Sequence, residues 1–72
     1  DTKIDENVCI APNCFLGGDV KIERDVLIGA GSTIMQGKKI GEGSTVGMGS
    51  SVLKDIKKFS VIFPRSSMIK KM

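Results

Sequence analysis

The sequence contains no histidine, no tryptophan and no tyrosine, and its 72 residues include only three phenylalanines, two prolines and two cysteines. Without histidine, no side chain has an ordinary pKa near neutrality, so the chain holds no ready general base at pH 7. The scarcity of aromatics argues against an aromatic-centred core, and it argues equally against a platform on which nucleic-acid bases could stack. Cys9 and Cys14 are too few for a secreted disulfide framework, and with no CxxC spacing they suggest no zinc site, so a reducing, cytoplasmic setting and no metal are expected. No apolar run approaches ~18 residues and no charged-then-apolar leader opens the chain, so no membrane insertion is expected.

What the sequence does contain is a period of six. Between Ile28 and Val52, aliphatic residues stand at Ile28, Ile34, Ile40, Val46 and Val52, and the same phase runs back through Ile22, Leu16 and Ile10 to Ile4. Neither a helix, with a period near 3.6, nor a flat strand, with a period of 2, gives this spacing. A short fixed repeat belongs to a solenoid in which each turn buries its apolar side chains against the next. The hexads read IDENVC, IAPNCF, LGGDVK, IERDVL, IGAGST, IMQGKK, IGEGST, VGMGSS and VLKDIK. Their fifth positions, from Val8 and Cys14 to Ser50 and Ile56, are mostly small or apolar, so two positions per hexad face inward. The nine glycines and the Asn and Asp residues suit corners that need positive φ at several points.

Three hexads make one triangular coil, so residues 18 apart should stack: Ile4 on Ile22 on Ile40, Ile10 on Ile28 on Val46, and Leu16 on Ile34 on Val52. Coils ~4.8 Å apart make a prism roughly 15 Å tall from three of them. The expected fold is all-β, a hexapeptide-repeat β-helix over residues 1–57, followed by a closing strand and basic tail over 58–72. Lys38, at an inward fifth position, points to a bulge beside Gly37. The first coil would leave Ile4, Ile10 and Leu16 uncovered, so upstream residues of a longer protein, or a partner chain, are expected to cap it. Three coils alone would be marginally stable, and an oligomer is expected.

The segments NVCIAPNCFLGGDVKI, IGAGSTIMQG and IGEGSTVGMGSSVLKDI resemble the hexapeptide-repeat acyltransferases, which fold as left-handed parallel β-helices. Within them, the chain is most similar to the acetyl-CoA-dependent sugar acetyltransferases related to sialic acid and bacillosamine synthesis. That resemblance implies the left-handed winding, a homotrimer with acetyl-CoA lying in the groove between neighbouring prisms, and a sugar or nucleotide-sugar acceptor. It also implies a histidine base immediately before an acidic residue. Asp1-Thr2-Lys3-Ile4-Asp5 matches the family's residues on the C-terminal side of that histidine, so the base is expected just upstream of Asp1.

Further positions carry over from the resemblance one at a time. Asp1 matches the acidic neighbour that orients the base, though a solvated terminal Asp would look the same. Cys9 falls where many members have a second histidine near the acetyl group, and a buried structural cysteine is the stronger expectation there. Gly18 matches a glycine whose N–H points at the thioester oxygen, or it serves only as a corner turn. Ala30 and Met48 match positions whose backbone contacts the pantetheine arm; turn geometry alone would explain Ala30 but hardly prefers Met48.

Six of eleven basic residues, Lys54, Lys57, Lys58, Arg65, Lys70 and Lys71, fall in the last nineteen positions, although the net charge is only +3. A solvated tail is the stronger expectation for them, with contact to the coenzyme phosphates as the alternative. Pro64 arrives about two residues earlier than the Pro of the family's Gly-x-Pro-Ala motif, and without the glycine. A non-catalytic trimeric scaffold remains the competing reading because the chain lacks histidine. A carbonic-anhydrase-like β-helix would need metal-binding histidines, and an ice-binding solenoid would need a regular threonine ladder, so neither fits.

Overall fold

Each hexad contributes one outward residue followed by one inward aliphatic residue, and this two-residue unit is the strand. The computed structural model describes residues 1–64. Its strands are β1 (Lys3–Ile4), β2 (Cys9–Ile10), β3 (Phe15–Leu16), β4 (Lys21–Ile22), β5 (Leu27–Ile28), β6 (Thr33–Ile34), β7 (Lys39–Ile40), β8 (Thr45–Val46), β9 (Ser51–Val52) and β10 (Val61–Ile62). They form three parallel sheets, which are the faces of a prism: β1-β4-β7 is the first face, β2-β5-β8-β10 the second and β3-β6-β9 the third. The register stacks Ile4 on Ile22 on Ile40, Ile10 on Ile28 on Val46 and Leu16 on Ile34 on Val52. The fold is thus an all-β, three-sided solenoid that fits the left-handed parallel β-helix. Coils are joined by backbone hydrogen bonds such as Lys3 N–H to the Val20 carbonyl at 2.9 Å and Gly29 N–H to the Val46 carbonyl at 2.7 Å.

The core fills the axis of this prism. Ile22, Ile28, Ile34, Ile40, Val46 and Val52 are buried, and Val20 and Val26 join them from the fifth positions. Ser32, Ser44 and Ser50 occupy the same inward row in later coils, where a hydroxyl needs a partner to be buried without loss. The corners provide it: Ser32 Oγ donates to the Gly29 carbonyl at 2.8 Å, Ser44 Oγ to the Lys57 carbonyl at 2.9 Å and Ser50 Oγ to the Gly47 carbonyl at 2.7 Å. The first coil is less covered. Ile4 is 48% exposed, while Ile10 and Leu16 are only half-buried.

Every regular corner turns on a residue with positive φ at the fourth place of its hexad. Asn7, Asn13, Asp19, Asp25, Gly31, Gly37, Gly43 and Gly49 all lie between 57° and 77°. Asn, Asp and Gly are the residues that enter the left-handed region at least cost. Gly37 takes this ordinary place, and the Lys21 N–H reaches the Lys38 carbonyl at 3.0 Å in unbroken register, so the bulge expected beside Gly37 is absent. Lys38 is instead half-buried in a regular coil.

The fourth coil departs from the repeat. Ile56 bridges to Ile40, and β10 pairs with β8 through Val61↔Thr45 and Ile62↔Val46, offsets of sixteen residues instead of eighteen. The corner at Leu53-Lys54-Asp55 is therefore two residues short. Ile56 takes a first position over Ile40 and not the fifth position read from the hexads, because either place accepts an aliphatic side chain. The shortening also brings Phe59 to the corner position, where it adopts φ 55°. Arg65, Lys70 and Lys71, and with them the tail beyond Pro64, lie outside the described residues.

Candidate functional site

Where two faces meet, the chain turns through four residues whose backbone is not used by the ladders in the same way. At the second residue of these corners, the third place of the hexad, the N–H groups of Gly18, Ala30 and Met48 make no hydrogen bond among the described residues. The N–H groups of Arg24 and Gln36 are free in the same sense, so this availability comes from the corner geometry. At Glu42 the equivalent N–H is occupied by Glu23 Oε1 at 2.9 Å. Edges of the prism thus carry rows of backbone donors that can serve a ligand lying along them.

The candidate residues from the sequence fall on two of these edges and one face. Gly18 lies on the edge between the third and first faces. Asp1 sits there as well, its amino group 2.7 Å from Asp19 Oδ1, and Thr2 Oγ1 approaches the Gly17 carbonyl at 3.4 Å. Ala30 and Met48 stack on the edge between the second and third faces, joined through the Gly49 N–H to the Ala30 carbonyl at 2.8 Å. Ala30 is half-buried, and Met48 is 68% exposed. The two edges bound the same third face, whose outward residues are Phe15, Thr33 and Ser51.

Cys9 is exposed on β2, because alternation along the strand sends Ile10 inward and Cys9 outward. A buried structural role is therefore wrong for Cys9. Cys14 is the inward cysteine, with Sγ 3.2 Å from the Gly29 carbonyl.

Glycine at several corners is required by contact. A Cβ on Gly29 would lie 2.6 Å from the Met48 backbone nitrogen, so a side chain there would push the next coil away from the edge that carries Ala30 and Met48. Gly18 differs, because a Cβ there meets nothing within 4 Å and its φ is not positive. Packing does not demand a glycine at that position, and the space a side chain would take there is open.

Below Met48 the edge runs into a shallow groove of about 270 Å³ lined by Gly49, Ser51, Leu53, Phe63 and Pro64. The two-residue shortening at Leu53-Lys54-Asp55 carries Phe63 and Pro64 into this position and accounts for the early proline. Around the first face, Glu23 accepts from the Glu42 N–H and pairs with Lys39 Nζ at 3.4 Å. The backbone hydrogen bond, and secondarily Lys39, hold its carboxyl below the usual glutamate range. Among the described residues, no group of three or more His, Cys, Asp or Glu is placed to hold a metal ion, and no helix is long and apolar enough to cross a membrane.

Residue identities alone did not reveal the free N–H groups, since every residue type other than proline carries the same backbone donor. The row Asn7, Asn13, Asp19, Asp25, Gly31, Gly37, Gly43, Gly49 was a usable signal, because it marks each corner and hence the residue just before it. Comparison with protein families gives two matches. The family described as bacterial transferase hexapeptide (six repeats) matches residues 1–36, and that described as hexapeptide repeat of succinyl-transferase matches residues 19–54. No curated protein matches the chain.

Proposed function

Because the chain belongs to the bacterial transferase hexapeptide family, we propose that it forms the coenzyme groove of an acetyl-CoA-dependent sugar acetyltransferase, assembled as a homotrimer. The family supplies the acyltransferase chemistry. The observation that carries the assignment to this chain is the Gly18 N–H, unpaired among the described residues on one margin of the third face, with the N–H groups of Ala30 and Met48 likewise unpaired along the other.

In this reading a hydroxyl or amino group of the sugar attacks the thioester carbonyl while a histidine, expected immediately before Asp1, takes its proton. The Asp1 carboxylate orients that imidazole. The carbonyl oxygen gains negative charge in the tetrahedral intermediate and accepts a hydrogen bond from the Gly18 N–H. Collapse of the intermediate breaks the carbon–sulfur bond, and the proton held by the base passes to the departing thiolate. The pantetheine arm runs beside the Ala30 and Met48 backbone, and the exposed Cys9 lies on the neighbouring face. No step requires a metal.

The absence of any histidine from the sequence favours a second reading, a trimeric β-helix scaffold without catalysis. One assay separates the two. The full-length protein is given acetyl-CoA and a panel of amino and hydroxy sugars, and free thiol is monitored with a chromogenic reagent. Acceptor-dependent thiol release, reduced at least ~100-fold when the residue preceding Asp1 is changed to alanine, is the expected result. No acceptor-dependent release with any sugar, together with no binding of acetyl-CoA, would leave the scaffold.

A further inference from the structure

Charge is sorted along the axis of the prism. Residues 1–25 carry six carboxylates against three cations, residues 26–37 carry no charge, and residues 38–58 carry five lysines against Glu42 and Asp55. The later coils are therefore net positive. Their lysines flank the first face on both margins, Lys38 and Lys54 on the side of the third face and Lys57 and Lys58 on the side of the second, with Lys39 on β7 between them.

Between these margins lies a groove of about 450 Å³ lined by Lys39, Gly41, Ile56, Lys57 and Lys58 and by the carboxylates of Glu23 and Asp55. Its shape comes from the short corner. The residue after each inward isoleucine of this face is Asp5, then Glu23, then Gly41, then Lys57, because Ile56 bridges Ile40. Gly41 ends the column of carboxylates, and it is held to glycine by contact, since a Cβ there would lie 2.5 Å from the Lys58 backbone nitrogen. An acidic column thus gives way to lysine at the groove.

Both carboxylates are already held by the coils themselves. Asp55 Oδ1 accepts the Lys39 N–H at 3.0 Å, while Glu23 accepts the Glu42 N–H at 2.9 Å and faces Lys39 Nζ at 3.4 Å. Lys57 and Lys58 form no ion pair among the described residues, and their backbone N–H groups find no acceptor there either. What the groove has in surplus is donors. Two ammonium groups beside two main-chain N–H groups suit a compact, multiply charged acceptor, and a phosphate group has both the charge and the oxygens. Gly41 and Ile56 add an uncharged floor for a small organic part.

We propose that this groove binds the phosphate group of a small phosphorylated molecule. It lies on the face opposite the Ala30 and Met48 edge, so the site is separate from that of the coenzyme and stands whether or not the coenzyme reading holds.

The test titrates the full-length protein with inorganic phosphate, with glucose 6-phosphate and with glucose by isothermal titration calorimetry, at low salt because screening weakens exposed charges. The two phosphates should bind at a single site per chain, and glucose should not bind. Lys57→Gln combined with Lys58→Gln should weaken both at least about tenfold, while Lys21→Gln, on the same face but outside the groove, should leave them unchanged. All three side chains are exposed, so each variant should keep the β-helix spectrum by far-UV circular dichroism. Saturating acetyl-CoA should not compete. The site is overturned by the absence of saturable binding at millimolar phosphate and sugar phosphate, by an equal loss in Lys21→Gln, by binding that ignores the double substitution, or by displacement with acetyl-CoA.

Discussion

Gly29 and Gly18 look alike in the sequence but do different work. A Cβ on Gly29 would press against the backbone of the following coil at 2.6 Å, where no rotamer change can relieve it. Gly29→Ala is therefore expected to cost about 1–3 kcal/mol and to lower the thermal midpoint by several degrees. Gly18→Ala adds a methyl into open space at ordinary φ, and its melting curve should match the wild type or exceed it slightly. Calorimetry of the two variants side by side checks the contrast, and equal losses would mean that Gly18 is held by packing as well.

Glu23 supplies a pH dependence at the same scale. Its carboxyl is held below the ordinary glutamate value by the Glu42 N–H first and by Lys39 second, so the ionised form is favoured in the folded state. The resulting stabilisation is fully present above the unfolded pKa of about 4.3 and is lost as pH falls through the lower folded value. Thermal midpoints of wild type and Glu23→Gln, measured from pH 7 downwards, should differ at neutral pH and converge in acid. A gap that stays constant down to about pH 2, well below that unfolded pKa, would show that Glu23 acts through something other than its charge.

At the scale of elements, what matters is where a strand sits in the stack. Ile34 is fully buried between Leu16 above and Val52 below. Ile34→Ala should cost about 2–5 kcal/mol, read from urea denaturation in one oligomeric state. A cost under about 1 kcal/mol would mean that this column is not packed as the register has it. The columns Ile4-Ile22-Ile40, Ile10-Ile28-Val46 and Leu16-Ile34-Val52 were legible because an aliphatic residue in every sixth place fixes both the coil length and the inward side. The short corner at Leu53-Lys54-Asp55 was not. Deleting two residues there moves Ile56 from one inward place to another, and the hydrophobic pattern reads the same in both registers. Cys9 stands at the sixth, outward place of its hexad, so its exposure follows from the same period, against the burial expected from its residue type. The Asn, Asp and Gly row marks the corners that carry the main-chain donors, but only the resemblance singles out Gly18, Ala30 and Met48 among them.

For the whole molecule, the prism is a narrow stack with a thin core, and exposed apolar side chains such as Leu27 and Phe15 stand on its second and third faces. Stability and function are then expected to come from the same assembly, with the thioester donor lying against edges that neighbouring copies complete. The measurement that bears most directly on this is the thermal midpoint of the full-length protein against acetyl-CoA concentration. Saturation at about 100 times the dissociation constant should stabilise the folded state by about 2.7 kcal/mol and raise the midpoint by several degrees. A midpoint that does not move up to millimolar acetyl-CoA would contradict the coenzyme groove on which the functional reading stands.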